Sequence, residues 1–243
     1  MTYCLALRLD DGLVFLADTR TNAGLDNIGT YRKLHVLQPS PDRIFVLESA
    51  GNLATTQEVL DCINRDLVGG GAAENLATVE RMFEAALYIG RVSRQVVGAH
   101  SDAFGPGVDA TASFILGGQI GAAPPDILLI YPEGNYVRAS DERPFLQIGE
   151  LKYGKFMLDL AVRSHVDIET ATKIALGSML STATANLSVG PPYDAGVYRP
   201  GAMLVEQFRV EADSPLIEQL RDVWEHHIRA LVADLPTISF TSG

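Results

Sequence analysis

Cysteine is scarce. Cys4 and Cys62 are the only two in 243 residues, which excludes a disulfide framework or a cysteine-built zinc cluster. Both are expected as reduced, packed thiols. Positive charge is scarce too: 19 Lys and Arg face 30 Asp and Glu, a formal net charge of −11. Nucleic acid and anionic membranes are held by clustered basic side chains, so neither is expected as a partner. Histidines are few, and His226 and His227 are adjacent. On a helix they diverge instead of forming the i, i+4 pair of a helical metal site, so no metal and no cofactor is expected. No apolar run reaches the roughly 18–20 residues of a membrane helix. The N-terminus lacks a basic leader, and Asp10-Asp11-Gly12 interrupts its apolar run early. No signal peptide is expected, and the expected compartment is the cytoplasm. There is no Gly-x-Ser-x-Gly elbow, which disfavours a serine hydrolase of that kind. Gly69-Gly70-Gly71 and the segment Gly117-Gly118-Gln119-Ile120-Gly121 lack the Lys-Ser/Thr of a phosphate loop and read as turns.

What is present is globular. Hydrophobic residues make up 47 % and charged residues 20 %, enough for a sizeable core. No linker-like stretch and no clear repeat divides the chain, so one domain over residues 1–243 is expected. Thr2–Leu9 and Leu13–Asp18 are β-prone runs joined by Asp-Gly, a hairpin signal. A third strand is expected over Thr30–Leu37, carrying Arg32, Lys33 and His35 and ending at Pro39. A fourth starts at Ile44–Leu47 and runs into Ser49-Ala50-Gly51. Helical spacing marks Asn52–Leu67 and Leu76–Val97. Gly90 and Ser93 on the second leave room for a close neighbour. Strands return at Ala112–Leu116, Ile127–Tyr131, Tyr136–Ala139 and Phe145–Ile148, helices at Glu150–Arg163 and Ile168–Thr184, with Asp167 as N-cap. Strands at Gly196–Tyr198 and Ala202–Val210 precede a last amphipathic helix opened by Ser214-Pro215. Alternating blocks of strands and helix pairs point to an α+β domain with antiparallel sheets packed together and helices outside.

The chemistry centres on the first residues. If Met1 is removed, Thr2 carries a hydroxyl nucleophile and a free α-amine, a candidate base, on one residue. The hairpin returns the end of its second strand beside the start of its first, bringing Asp18 to Thr2. Lys33 on the neighbouring strand can pair with Asp18 and lower the proton affinity of the threonine hydroxyl and amine. An α-amine titrates near 7.7–8.0 unperturbed, already suited to general-base work.

These pieces resemble the threonine-type N-terminal nucleophile hydrolases of the proteasome β-subunit class: Thr2, then Ala17-Asp18-Thr19-Arg20 with Thr21-Asn22-Ala23-Gly24, then Arg32-Lys33. The branch most similar is Anbu, the bacterial proteasome-related family. It is matched at Thr2-Tyr3-Cys4, at Asp18–Gly24, at Gln147-Ile148-Gly149-Glu150 with Lys152-Tyr153-Gly154-Lys155, and at Asn186-Leu187-Ser188-Val189-Gly190-Pro191-Pro192. The resemblance implies a four-layer αββα sandwich. It implies Thr2 as nucleophile and base, oriented and activated by Asp18 and Lys33. It places the oxyanion donor at the amides of Ala50 or Gly51, before a helix whose N-terminus adds a favourable field.

Two departures stand out. Where proteasome β-subunits carry a serine supporting the threonine amine at the start of the third helix, this chain has Glu150. Where they carry Asp-x-x-Ser before a late strand, Ser188 matches the serine but Ala185 and Asn186 fill the Asp region. Glu150 or Asn186 is expected to supply the missing support. The implied activity is a peptidase acting on peptide or protein substrates. The implied assembly is a homo-oligomer, ring or open spiral, formed through its helix layers, with Leu76–Val97 long enough to serve. An unfoldase partner is not identified. Two rivals stay open: an assembling scaffold without proteolysis, and a narrow small-molecule amidase.

Overall fold

The computed structural model describes residues 2–22, 28–69, 74–103, 109–238 and 240. Two antiparallel five-stranded sheets face each other. The first has the order β10-β1-β2-β11-β12, from β1 (Tyr3–Leu9), β2 (Gly12–Asp18), β10 (Phe145–Gly149), β11 (Tyr193–Tyr198) and β12 (Val205–Val210). The second runs β5-β6-β7-β8-β9, from β5 (Leu34–Ser40), β6 (Arg43–Gly51), β7 (Ala112–Ile120), β8 (Asp126–Ile130) and β9 (Tyr136–Arg138). A two-stranded ribbon, β3 (Arg20–Asn22) with β4 (Ile28–Thr30), stands apart.

Strand alternation explains the layers. In β1, Tyr3, Leu5 and Leu7 pack towards α4 (Ile168–Ala185) and its neighbours, while Cys4 and Ala6 pack between the sheets. In β6, Phe45 and Leu47 meet α1 (Leu53–Gly69) and α2 (Met82–Ala103), while Ile44, Val46 and Ala50 face the other sheet. Both faces of each sheet are therefore apolar, which is why β1 and β2 show no clean hydrophobic–polar alternation. The result is the αββα sandwich, with α3 (Lys155–Ala161), α4 and α5 (Pro215–Ala233) on the side of the first sheet. The helix N-caps match expectation: Asp167 accepts the Thr170 N–H and Ser214 accepts the Leu216 N–H.

Several element boundaries differ from the expected ones, each for a local reason. The strand expected over Thr30–Leu37 is two strands, and Lys33 lies in the connection 31–33 between them. Pro39 does not end β5, because β5 is an edge strand with a register shift between Leu37 and Ser40, where a missing N–H is tolerated. The fourth strand does run through Ser49-Ala50-Gly51, which ends β6. Gly117 and Gly118 lie inside β7. A Cβ on Gly117 would sit 2.4 Å from the Phe15 ring, so this glycine permits close sheet-on-sheet approach instead of making a turn. Gly70 and Gly71, the other expected turn, lie outside the described residues, as do Met1, Ala23 and Gly24.

Helix α2 starts at Met82 and not Leu76. The Asn75 side chain accepts the Ala77 N–H, and the Glu84 carboxylate accepts the Glu80 and Arg81 amides. These contacts hold a turn where periodicity alone reads helix. Gly90 does admit a neighbour, since a Cβ there would lie 2.2 Å from the Gly134 carbonyl oxygen. Helix α3 begins at Lys155, so Glu150 is outside it and caps nothing.

Candidate active site

The site forms where the N-terminal end of β1 lies between β10 and the end of β2. Tyr3 pairs with Gly149, and Cys4 pairs with Ala17. The Glu150 N–H donates to the Thr2 carbonyl at 2.7 Å, which fixes the backbone of the nucleophile candidate. Gly149 has φ +87°, and a Cβ there would lie 1.9 Å from the Thr2 oxygen. Only glycine lets β10 come this close to Thr2.

Asp18, fully buried at the end of β2, is the hub. Its Oδ1 accepts Lys33 Nζ at 2.7 Å and the Tyr3 N–H at 3.0 Å; its Oδ2 accepts the Gly190 N–H at 3.2 Å. Burial pushes its pKa up, while the Lys33 ammonium and the two amides pull it back down. Three donors converge on two oxygens, an arrangement suited to the carboxylate. Lys33 is nearly as buried, its side chain 6 % exposed, and also donates to the Arg20 carbonyl at 2.6 Å.

Thr2, Lys33, Ala50 and Gly51 share one cleft of about 440 Å³, with Asn52 and Thr56 from the start of α1 on its wall. The Ser49 N–H donates to Lys33 O on the β5 side of β6, and the Asn52 N–H to Thr111 O on the β7 side. By alternation the Gly51 amide points to the β5 side, where β5 has already ended, since Leu34 pairs with Glu48. The Ala50 amide points to β7. Of the two expected oxyanion donors, Gly51 is the one left open to the cleft. Asn52 caps α1 by accepting the Thr55 N–H, so a helix N-terminus adjoins it.

Glu150 and Asn186, expected as alternatives, are bonded to each other: Asn186 Nδ2 donates to Glu150 Oε2 at 3.0 Å. Asn186 also accepts the Ser188 N–H. Ser188 is half-buried and off the cleft wall, so it belongs to this supporting loop.

Sequence reasoning missed several residues. Gly190 supplies an amide to Asp18 and lies so close to the Arg20 guanidinium that a Cβ would be 2.3 Å away. Tyr3 anchors the terminus from behind: its hydroxyl meets Ser178 Oγ at 2.8 Å and accepts from Gln147 Nε2. Burial pushes its pKa up to about 12. Gly154 makes room for that network, since a Cβ there would meet Ser178 Oγ at 2.3 Å. Glu48 lies one residue before Ser49 and is fully buried, with no donor in good hydrogen-bonding geometry to either carboxyl oxygen. Burial pushes it well above the usual carboxylate range, so the neutral acid is the favoured form. The approach of glycines could not be read from composition; the blocks Gln147–Glu150, Lys152–Lys155 and Asn186–Pro192 were the only signal.

A larger cavity, about 870 Å³, opens around Arg8 at the far end of β1, beside Phe83, Tyr136 and Arg138, and its described lining holds no nucleophile near a base. Among the described residues no group of three His, Cys, Asp or Glu side chains converges as a metal site, and no helix is long and apolar enough to cross a membrane.

No protein-family model and no curated protein matches the chain. Solved structures do. An Anbu (Gly-1) mutant from Hyphomicrobium sp. strain MC1 is 40 % identical, with a TM-score of 0.91 over 98 % of this chain and 100 % of that one. Anbu, an ancestral β-subunit, from Yersinia bercovieri is 39 % identical, with a TM-score of 0.90 over 98 % and 100 %. The chain belongs to the Anbu family. A third match is the helical assembly of the Anbu complex from Pseudomonas aeruginosa, at 38 % identity and a TM-score of 0.91 over 98 % and 99 %. Membership in Anbu brings the proteasome-β-like N-terminal nucleophile fold, in agreement with the α+β layering described above.

Proposed function

We propose that the chain is a threonine-type N-terminal nucleophile hydrolase that cleaves peptide amides after removal of Met1. The observation that carries this reading is the buried Lys33–Asp18 pair at 2.7 Å, set behind a cleft that Thr2 and Gly51 also line. Thr2 Oγ attacks the amide carbonyl carbon and its proton passes to the Thr2 α-amine. The Gly51 N–H, backed by the α1 N-terminus, stabilises the oxyanion. Collapse breaks the C–N bond, and the ammonium returns the proton to the departing amine. The ester on Thr2 is then hydrolysed by water that the freed α-amine deprotonates. Lys33 lowers the proton affinity of the hydroxyl, Asp18 holds Lys33, and the Glu150–Asn186 pair supports the terminal segment through the Glu150 amide.

Assembly into a homo-oligomer belongs to the same proposal. Phe156 and Leu160 on α3, and Ile228 and Leu231 on α5, are 73 %, 63 %, 53 % and 63 % exposed. Such a surface suits burial against further copies, and the Pseudomonas relative is described as a helical assembly. Helix α2, expected to serve, is the weaker candidate because its apolar stripe is spent on the core. The proposed compartment is the cytoplasm, in keeping with two free thiols.

The test is intact-mass measurement of the purified native protein, followed by labelling with an electrophilic peptide probe and turnover of a peptide library. A mass lacking Met1, with labelling and turnover both lost in Thr2→Ala, is expected. Retained Met1 puts the α-amine on the wrong residue and overturns the mechanism. An assembled, Met1-free protein that turns over no peptide supports the scaffold instead, and turnover confined to small amides supports the amidase.

A further inference from the structure

The proposed cleft has a charge of its own. Among its described lining residues two side chains carry charge, Arg32 and Lys33, and both are positive; none of these residues is a carboxylate. This happens on a chain of net charge −11. The two cations differ in what they have left to give. Lys33 is committed to Asp18 and to the Arg20 carbonyl.

Arg32 is not committed. Its side chain is 59 % exposed, and its Nε lies 3.8 Å from Asp194 Oδ2, beyond hydrogen-bonding distance. Asp194 already has a better partner: Arg209 grips it with both Nε, at 2.7 Å, and Nη2, at 3.0 Å. Among the described residues the Arg32 guanidinium makes no hydrogen bond, although it carries five N–H donors in a planar fork that matches a carboxylate. Asp194 and Arg209 therefore set where Arg32 stands without satisfying it. Among the described residues that line the cleft none is an anion, and the nearby Asp194 is already held by Arg209.

We infer that Arg32 is a specificity-determining residue that selects peptides carrying a Glu or Asp side chain within one residue of the scissile amide. This rests on the hydrolase reading of the same cleft. Its Thr2–Lys33–Asp18 chemistry does not depend on Arg32, so substitution at Arg32 changes which peptide is held and not how the amide is broken. An acidic side chain gains charge-assisted hydrogen bonds from Arg32, and a lysine in the same place meets two cations.

The experiment uses internally quenched peptides that differ only by Glu, Gln or Lys on either side of the central amide. Turnover is measured with the Met1-free wild-type protein and with Arg32→Gln and Arg32→Lys. Equilibrium binding of the same peptides to Thr2→Ala protein, with and without Arg32→Gln, is measured by fluorescence anisotropy. Wild type is expected to favour Glu over Gln by about tenfold in kcat/KM, through KM. Arg32→Gln erases that preference while its kcat on the Gln peptide stays at the wild-type value, and Arg32→Lys keeps part of the preference. Added salt shrinks the Glu advantage. Turnover with no Glu preference overturns the inference and leaves the hydrolase standing. No turnover, but Glu-selective binding that Arg32→Gln abolishes, upholds Arg32 as the selector of acidic peptides and overturns the hydrolase together with the placement beside a scissile amide. Absence of both overturns both.

Discussion

Replacing Lys33 with Met removes one charge from the centre of the site and leaves its aliphatic stem in place. Asp18 then keeps the Tyr3 and Gly190 amides but loses its paired cation, in a position with no exposed surface. Removing one partner of a buried ion pair costs about 3–5 kcal/mol, because the other charge is stranded. That is a large part of the roughly 5–15 kcal/mol typical of a folded domain. The penalty has a definite pH dependence. Burial already raises the Asp18 pKa, and without Lys33 the largest opposing influence is gone. The folded variant then takes up a proton at a pH where the unfolded chain does not, so the penalty shrinks as pH falls. The companion variant Asp18→Asn/Lys33→Met carries no stranded charge and is expected to be more stable than Lys33→Met alone at pH 8. Urea unfolding of all four members of the cycle, at one subunit concentration and at pH 5.5 and 8, supplies the numbers. A Lys33→Met penalty under about 1 kcal/mol at pH 8, or one that is flat with pH, would refute the view that Asp18 depends on Lys33 as counter-ion. Peptide turnover is expected to vanish in every variant, including the double one that recovers stability.

Four further outcomes are expected. Glu48→Gln replaces a buried acid held neutral; between the ordinary glutamate pKa near 4.3 and its raised folded value, the wild-type fold binds one extra proton. Wild-type stability therefore falls with rising pH by up to about 1.4 kcal/mol per pH unit from this group, and denaturant unfolding should show the Gln variant free of that contribution. Gly149→Ala forces a Cβ against the Thr2 carbonyl at a positive φ, and should cost about 1–3 kcal/mol and most of the turnover, seen by thermal unfolding and peptide assay. Glu150→Ala and Asn186→Ala break the same hydrogen bond, so each should slow turnover and the double variant should be little slower than the worse single one; unchanged rates in all three dismiss the pair as amine support. Ile228→Asp with Leu231→Asp charges the exposed face of α5 and should shift the protein to smaller species in light scattering, with secondary structure kept.

The legible part of this fold was the part encoded locally. The Asp-Gly hairpin, the doubly covered strands and the Asp167 and Ser214 caps all follow from neighbouring residues. Asp18 was placed beside the terminus by hairpin geometry alone, and its 3.0 Å bond to the Tyr3 amide agrees with that placement. The misread parts depend on contacts far apart in sequence or on side chains competing with the backbone. Thr30–Leu37 is β-prone throughout and reads as one strand, yet the regular strands stop at Thr30 and resume at Leu34, and Lys33 in the connection reaches Asp18 with its ammonium. Asn75 and Glu84 delay α2 by local hydrogen bonds that hydrophobic periodicity does not register. Gly149, Gly154 and Gly190 look like ordinary loop glycines until the Thr2 backbone, α4 and Arg20 are brought against them. Glu48 reads as a polar strand residue, and only the facing first sheet turns it into a buried acid.

The contacts of Asp18 also explain why this site resists dissection by single substitutions. Its three donors come from three separate places: the start of β1, the connection ahead of β5 in the opposite sheet, and the loop between α4 and β11. One carboxylate thus joins the two sheets and the loop that carries Asn186, which in turn reaches Glu150 and, through its amide, Thr2. Removing Asp18 leaves a buried ammonium, and removing Lys33 leaves a buried carboxylate. Either loss loosens the ties around the nucleophile as well as changing its electrostatics. Loss of activity in either single variant therefore cannot distinguish a chemical role from a structural one. The double variant Asp18→Asn/Lys33→Met, neutral at both positions, can. It keeps a polar group for the amides and an apolar stem against the core, so the fold survives while the field at Thr2 does not. If that variant is folded, assembled and inert, the charge itself is what the reaction needs.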